Sequence, residues 1–378
     1  MFAHRGASGD RPEHTRAAYE VAIAQGADGL ELDVVATRDG VLVCRHEHEI
    51  GGTTDVAERA EFADRRTTRT VPGRAEATGW FVEDSAFPSD SYAVRSQVAL
   101  HGFDPDESVI RLRPRPGEDT LRTADVLAVL DAEGDRIALL MLGGVNYLTG
   151  ELVDIPAITA AGRRAGAVVG WDLAHAVGNV PLALSEWDVD WAAWCHYKYV
   201  NSGPGAVAGA FVHRRHLADR TLPKLQGWWS TNEATRFAMG PVVDPVDTAD
   251  AWQLSNPPIL AMAPVLASLQ IFDEVGMVAL RERSVRLTGY LEALLDGMAA
   301  GSPLRLLTPR DPRRRGAQLS VRIGAGTAQG VCERLRREHG VIADAREPDV
   351  VRLAPAPLYC THHDAWRAAK ALVTVVGG

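Results

Sequence analysis

The chain has 378 residues, 46% of them hydrophobic and 24% charged, so it can bury a large core and is expected to form two or three domains. Its net charge of −9 argues against a binder of phosphate backbones, and no apolar run approaches the roughly 18 residues of a membrane span. The four cysteines (Cys44, Cys195, Cys332, Cys360) are scattered without a CxxC pair. That argues against a zinc knuckle or a disulfide framework and suits a reducing compartment. With His4 and Arg5 standing where a signal peptide would run apolar, the expectation is a soluble, cytoplasmic protein.

Residues 1–50 read as a βαβ arrangement. A strand ends at His4, a helix covers about Thr15–Gln25, and a second strand runs over Gly29–Val35 with alternating faces. Arg38-Asp-Gly40 marks a turn, and Val41–Cys44 is a third strand ahead of His46. Residues 51–84 are polar and irregular and are expected to be loop. From residue 85 the texture changes. Helices are expected over Asp90–His101, Thr123–Glu133 and Ile155–Ala165, and strands over Ser108–Leu112, Ile137–Leu142, Val168–Asp172, Trp191–Cys195 and Gly205–Val212. Strands alternating with helices predict an α/β sandwich on a mostly parallel sheet. Residues 260–300 are strongly helical. The remainder, with strands at Gln318–Ile323 and Val350–Leu353, suits a small α+β domain. Arg313-Arg-Arg315 reads as a solvated loop.

The chemistry concentrates in Asp172-Leu-Ala-His175 and, 23 residues further on, Lys198. Asp172 stands where a strand gives way to a loop, which is where ligands bind in open α/β sheets. Pyridoxal 5′-phosphate (PLP) needs a lysine amine to hold it and an acidic partner for its pyridinium nitrogen, and Lys198 and Asp172 suit those roles. Ala174 is small enough to let a ring lie flat on the backbone, and His175 could line the same pocket. A lysine beside a buried strand can lose its proton more easily and attack a carbonyl. Asp172 could equally cap the next helix, and Lys198 could equally be a surface lysine lying along apolar neighbours.

Longer motifs then narrow the choice. Trp171-Asp-Leu-Ala-His-Ala-Val-Gly-Asn179, Trp194-Cys-His-Tyr-Lys-Tyr-Val-Asn201 and Gly209-Ala-Phe-Val-His213 strongly resemble kynureninase, a fold-type I PLP family related to the aminotransferases. Phe87-Pro-Ser-Asp-Ser-Tyr92, Gln226-Gly-Trp-Trp229, Leu254-Ser-Asn-Pro-Pro-Ile259 and Val351-Arg-Leu-Ala-Pro-Ala-Pro-Leu-Tyr359 agree, in order, from about residue 85 to the C-terminus. The resemblance implies that Lys198 carries the cofactor and that Asp172 pairs with the pyridinium. It places Phe87 on the ring, with Asp90, His175 and Tyr197 touching ring or phosphate and Tyr197 also a candidate proton donor. Trp228 and Asn256 would come from a neighbouring subunit, which implies a homodimer, and Asn256 would also reach the substrate. Arg352 would grip the substrate α-carboxylate, a task suited to a bidentate guanidinium. The implied activity is hydrolysis of L-kynurenine, or its 3-hydroxy form, to the corresponding anthranilate and L-alanine in tryptophan catabolism.

The first 84 residues carry a second set of motifs. Ala3-His-Arg-Gly-Ala-Ser-Gly9, Arg11-Pro-Glu-His-Thr15, Gly29-Leu-Glu-Leu-Asp-Val34, Thr37-Arg-Asp-Gly40 and Arg45-His46 resemble the start of a glycerophosphodiester phosphodiesterase, a metal-dependent TIM barrel. Glu31 and Asp33 lie two apart on a strand and so share a face, and such oxygen ligands suit Ca²⁺ or Mg²⁺. The resemblance makes His4 and His46 the acid/base pair, with Arg5 and Glu13 in the same site. A whole barrel takes ~250 residues, so only its first strands are expected here. The kynureninase match in turn begins mid-domain, and the junction is expected near Glu83–Ser85. The expected organisation is a partial barrel over 1–84, a shortened PLP-binding domain over 85–265 and a small C-terminal domain over 266–378. Two alternatives are a working phosphodiesterase and an inactive fusion of two shortened enzymes.

Overall fold

The computed structural model describes residues 2–4, 7, 10–27, 29–31, 34–36, 42–44, 79–299, 301–324 and 326–377. The chain divides into two compact units: Met1–Val71 with Leu100–Gly102, and Pro72–Ala99 with Phe103–Gly378.

In the first unit, strand β1 (Phe2–His4) pairs in parallel with β2 (Gly29–Glu31), and the helix Arg16–Ala24 lies between them in sequence. This is the expected βαβ order. Thr15 starts the helix, its hydroxyl accepting from the Ala18 amide at 3.2 Å, as an N-cap serves an otherwise unpaired first-turn donor. Strands β3 (Val34–Ala36) and β4 (Leu42–Cys44) pair antiparallel. The expected metal and acid/base residues Asp33 and His46 lie outside the described residues, as do the side chains of His4 and Glu31. Among the described residues no three His, Cys, Asp or Glu side chains gather as a metal would require.

The second unit is built on a six-stranded sheet. Its strands are β5 (Gly79–Glu83), β6 (Val109–Leu112), β7 (Ile137–Gly143), β8 (Val168–Asp172), β9 (Trp191–Cys195) and β10 (Ala208–Val212), in the order β10-β9-β8-β7-β5-β6. All neighbours run parallel except the β9–β10 edge pair. Residues 79–83 were expected to be loop. They form an inner strand instead, because Trp80-Phe-Val82 is a short apolar run with high strand propensity, and Phe81 and Val82 are buried in it. Helices Thr123–Glu133 and Ile155–Arg164 pack on this sheet, and Leu130, Ile155, Ile158, Val169 and Trp171 share its main core. Burying each such side chain contributes about 1.5–3 kcal/mol. The helix Ile155–Arg164 starts where Asp154 accepts from the Ala157 amide at 3.1 Å and Pro156 fills its first turn.

Strand β8 is pinned on both sides. Gly170 lets the Trp191 ring lie against the backbone, since a Cβ there would stand 2.1 Å from that ring. The buried Asp190 carboxylate accepts from the Val169 amide at 2.8 Å, Arg215 at 2.7 Å and His216 at 2.6 Å, tying β8 to the segment after β10. A buried carboxylate is tolerable only with such partners.

Helices Ile259–Val275 and Met277–Met298 follow, broken at Gly276, whose φ of +79° is natural for glycine. A four-stranded antiparallel sheet comes last: β11 (Arg305–Leu306), β12 (Leu319–Arg322), β13 (Asp344–Arg346) and β14 (Val350–Leu353), ordered β11-β12-β14-β13. Helices Ala328–His339 and His362–Gly377 cover it. The expected solvated run at 313–315 is only partly so. Arg313 is exposed, but Arg314 pairs with Glu151 at 2.5 Å and Arg315 is buried against Glu292 at 2.6 Å. Alternation along the chain, with two carboxylates waiting at the right places, turns part of the run inward.

Candidate functional site

Asp172 ends β8. Its Oδ1 accepts from the Ala174 amide at 2.8 Å, and its carbonyl accepts from the Gly144 amide at 2.8 Å, so the side chain is fixed at the carboxyl end of the parallel strands. This is the crevice in which open α/β sheets place ligands. Asp90, in the first turn of the helix Pro88–Leu100, stands beside it. Burial and the neighbouring Asp172 charge push the Asp90 carboxyl up to about 7, with Lys198 opposing. Two carboxylates side by side favour a shared proton or an incoming cation.

Lys198 follows β9 in a tight loop. Asn201 adopts φ +58°, Gly203 +80° and Gly205 +78°, and the Asn201 amide donates to the Lys198 carbonyl at 3.0 Å. The loop is anchored by His196. Trp194 Nε1 donates to His196 Nε2 at 3.0 Å, so His196 Nδ1 carries the proton that goes to the Val207 carbonyl at 2.5 Å. Lys198 Nζ lies 5.6 Å from the centre of the Phe87 ring and 6.0 Å from that of Tyr197. Phe87 in turn packs edge-to-face with Tyr147, the ring centres 5.2 Å apart.

Lys198, His175 and Arg352 line one cavity of about 300 Å³, together with Gly178, Tyr199, Gln318, Asp344 and Arg346. His175 is buried, and its Nδ1 has no hydrogen-bond partner among the described residues. Burial, then the charges of Lys198, Arg352 and Arg346, hold its imidazole down to about 3, so the ring is neutral at ordinary pH. Arg352 is 7% exposed. It donates through Nη1 to the Tyr147 carbonyl at 2.5 Å and through Nη2 to the Asp344 carboxylate.

Phe87, Asp90, Asp172, Tyr197, Trp228 and Asn256 are not among the residues that line this cavity, though Phe87 lies near Lys198 and Asp90 beside Asp172. Tyr197 is 53% exposed; its hydrogen bond with Cys195 is the first of several effects that raise its phenol above the usual range. Trp228 is 42% exposed with its ring against Phe237, and Asn256 is exposed. Neither lines the cavity. Conversely, Tyr147, Asp344 and Arg346 belong to the site and were not singled out from the sequence. A signal for the last two was present: Asp344 and Arg346 sit two apart, eight and six residues before Arg352, as a short hairpin would place them on one face.

The donor set fits PLP. A carboxylate pair suits a pyridinium, an amine suits an aldehyde, the Phe87 face suits a flat ring, and the unpaired buried His175 nitrogen awaits a polar partner.

Residues 280–372 match the family described as kynureninase C-terminal domain, and residues 4–103 match the glycerophosphoryl diester phosphodiesterase family. The chain is 72% identical over 295 residues to the kynureninase of Salinispora tropica, covering 78% of this chain and 69% of that protein. The chain belongs to the kynureninase family. It is also 54% identical over 292 residues to the kynureninase of Koribacter versatilis, covering 77% of this chain and 68% of that one. Among solved structures it resembles an alanine–glyoxylate aminotransferase from Nostoc sp. (TM-score 0.59, 18% identity, 80% of this chain and 76% of that one). A cysteine desulfurase from Thermococcus onnurineus is similar too (TM-score 0.60, 12% identity, 80% of this chain and 72% of that one). The main fold is therefore the aminotransferase-like α/β fold of fold-type I PLP enzymes, as expected. Both expected resemblances are found, and the phosphodiesterase match runs past the expected boundary at residue 84, to residue 103.

Proposed function

We propose that this chain hydrolyses L-kynurenine, or 3-hydroxykynurenine, to anthranilate, or 3-hydroxyanthranilate, and L-alanine with PLP as cofactor. The observation that carries the proposal is the convergence of Lys198, His175 and Arg352 on one cavity, with Phe87 against the lysine, in a member of the kynureninase family. When bound, PLP supplies an electron sink for bonds at the substrate α- and β-carbons. Lys198 Nζ holds the cofactor and afterwards takes up and returns protons at the substrate carbons. Asp172 keeps a proton on the pyridine nitrogen, with Asp90 beside it. Phe87 covers one ring face. His175, neutral and unpaired, can accept or donate one hydrogen bond without adding charge. Arg352 fixes the α-carboxylate, so that one water attacks the side-chain ketone and the Cβ–Cγ bond breaks.

The same reading assigns residues 85–265 to the cofactor domain and 266–378 to the small domain, and traces the first unit to the start of a phosphodiesterase barrel. It also includes a homodimer. Trp228 and Asn256 lie away from the cavity of their own chain, and the nearby helix Ile259–Val275 exposes Ile259, Leu260 and Leu266, the last 61%. An apolar surface of that kind is normally covered.

The test is anthranilate fluorescence after mixing PLP-loaded protein with L-kynurenine. Wild-type protein gives signal and Lys198→Ala gives none. A silent wild type that is soluble and loaded, or an active Lys198→Ala, contradicts the proposal.

A further inference from the structure

We infer that Asp344 is a positioning residue for the substrate carboxylate: by bridging Arg346 and Arg352 it fixes the Arg352 guanidinium with Nε left to receive that carboxylate. The inference rests on the kynurenine-hydrolysing reading and adds to it the part of the site that sets carboxylate binding.

Strand pairing sets the geometry. β13 runs antiparallel to β14, with Asp344 opposite Arg352 and Arg346 opposite Val350. Directly opposed residues share a face, as do residues two apart on a strand. Asp344, Arg346 and Arg352 therefore project from one face of the sheet, and all three line the cavity that also holds Lys198. The Asp344 carboxylate is divided between the two arginines. Oδ1 accepts from Arg346 Nη1 at 2.8 Å, and Oδ2 accepts from Arg352 Nη2. The other terminal nitrogen of Arg352 donates to the Tyr147 carbonyl at 2.5 Å. With both terminal nitrogens held, the guanidinium plane cannot turn.

Its Nε is buried and has no partner among the described residues. A buried guanidinium donor without an acceptor is costly, so the arrangement is incomplete as it stands. A carboxylate completes it. One oxygen can take Nε, and the other can take the second hydrogen of Nη2, which Asp344 leaves free, in the paired geometry that arginine offers to carboxylates. Asp344 need not leave.

Charge points the same way. Two arginines and one aspartate leave a surplus of positive charge beside Lys198, and the neighbouring His175 stays neutral. Without Asp344 the two guanidiniums would repel each other across β13 and β14. Arg346 is held from its other side as well, donating to the Ala345 carbonyl at 2.9 Å and lying over the Tyr147 ring with its carbon 5.9 Å from the ring centre. Because Tyr147 also meets Phe87, the carboxylate grip and the ring-covering phenylalanine are joined through one residue.

The test uses the full chain loaded with PLP. Three quantities are measured: kcat and KM for L-kynurenine, the Kd of L-alanine from the change in cofactor absorbance, and the Kd of PLP itself. Asp344→Asn is expected to raise both KM and the L-alanine Kd by on the order of tenfold, the loss of one charge-assisted hydrogen bond. It is expected to leave kcat within about threefold and PLP affinity unchanged, with part of the loss recovered in Asp344→Glu. A merely structural role would weaken PLP binding too and would not be rescued. Unchanged KM and L-alanine Kd in Asp344→Asn, or a fall in kcat alone, overturns the inference. Should that variant fail to fold, Arg346→Gln carries the test: a weaker rise in both quantities supports the bridge, and no rise overturns it. Wild-type protein that binds L-alanine but does not cleave kynurenine sinks the reaction assigned above, and the L-alanine Kd then decides the role of Asp344. Wild-type protein that does neither overturns both.

Discussion

His175 is the residue whose chemistry depends most on its surroundings. In the sequence it was one histidine near an aspartate; in the fold burial, and then the charges of Lys198, Arg352 and Arg346, hold it down to about 3. An unfolded chain binds this proton near pH 6.5, and the folded one refuses it. The stability it contributes is therefore fully present above pH 6.5 and is lost as pH falls toward 3, by on the order of 2 kcal/mol between pH 6.5 and 5. Thermal melts from pH 7 to 5 should show the wild type losing more stability than His175→Gln. Equal pH slopes would contradict the burial argument. Asp172 and Lys198 were legible beforehand because a strand end and the loop after a buried strand are places where function recurs. Tyr147 was not, since its part rests on a backbone carbonyl and a ring contact that no side-chain pattern displays; Asp344 and Arg346 left only a spacing signal, whose meaning comes from the cross-strand pairing seen in the fold.

At the scale of elements, helix Thr123–Glu133 and strands Val168–Asp172 and Trp191–Cys195 have the bounds read from their periodicity. Strand β5 escaped because its apolar run is only three residues long and follows a polar stretch. The loop between β8 and β9 carries a tight constraint of its own. Gly178 has φ +77°, and a Cβ there would stand 2.9 Å from the Tyr199 carbonyl carbon and 3.0 Å from the Val200 amide, the backbone directly after Lys198. Gly178→Ala combines a left-handed backbone with a clash that rigid main chain cannot relieve, costing about 2–4 kcal/mol. A lowered Tm with weaker PLP binding is the expected result. Unchanged PLP affinity would mean that the Lys198 loop is not held by this contact.

For the whole molecule, two family matches meet in one chain, and the kynureninase match carries the chemistry. His4→Ala is expected to leave kynurenine cleavage unchanged; a large loss would show that the first unit has a part in that site. Sedimentation of the loaded protein should give a dimer, and Leu260→Glu, which puts a charge on a residue 90% exposed in the single chain, should shift it toward monomer. A monomeric wild type would leave Trp228 and Asn256 without the role assigned to them. The most direct measurement is borohydride reduction of the PLP-loaded protein followed by peptide mapping. The peptide carrying Lys198 alone is expected to gain the mass of reduced pyridoxal phosphate; label on another lysine, or none, would contradict Lys198 as the amine that holds the cofactor.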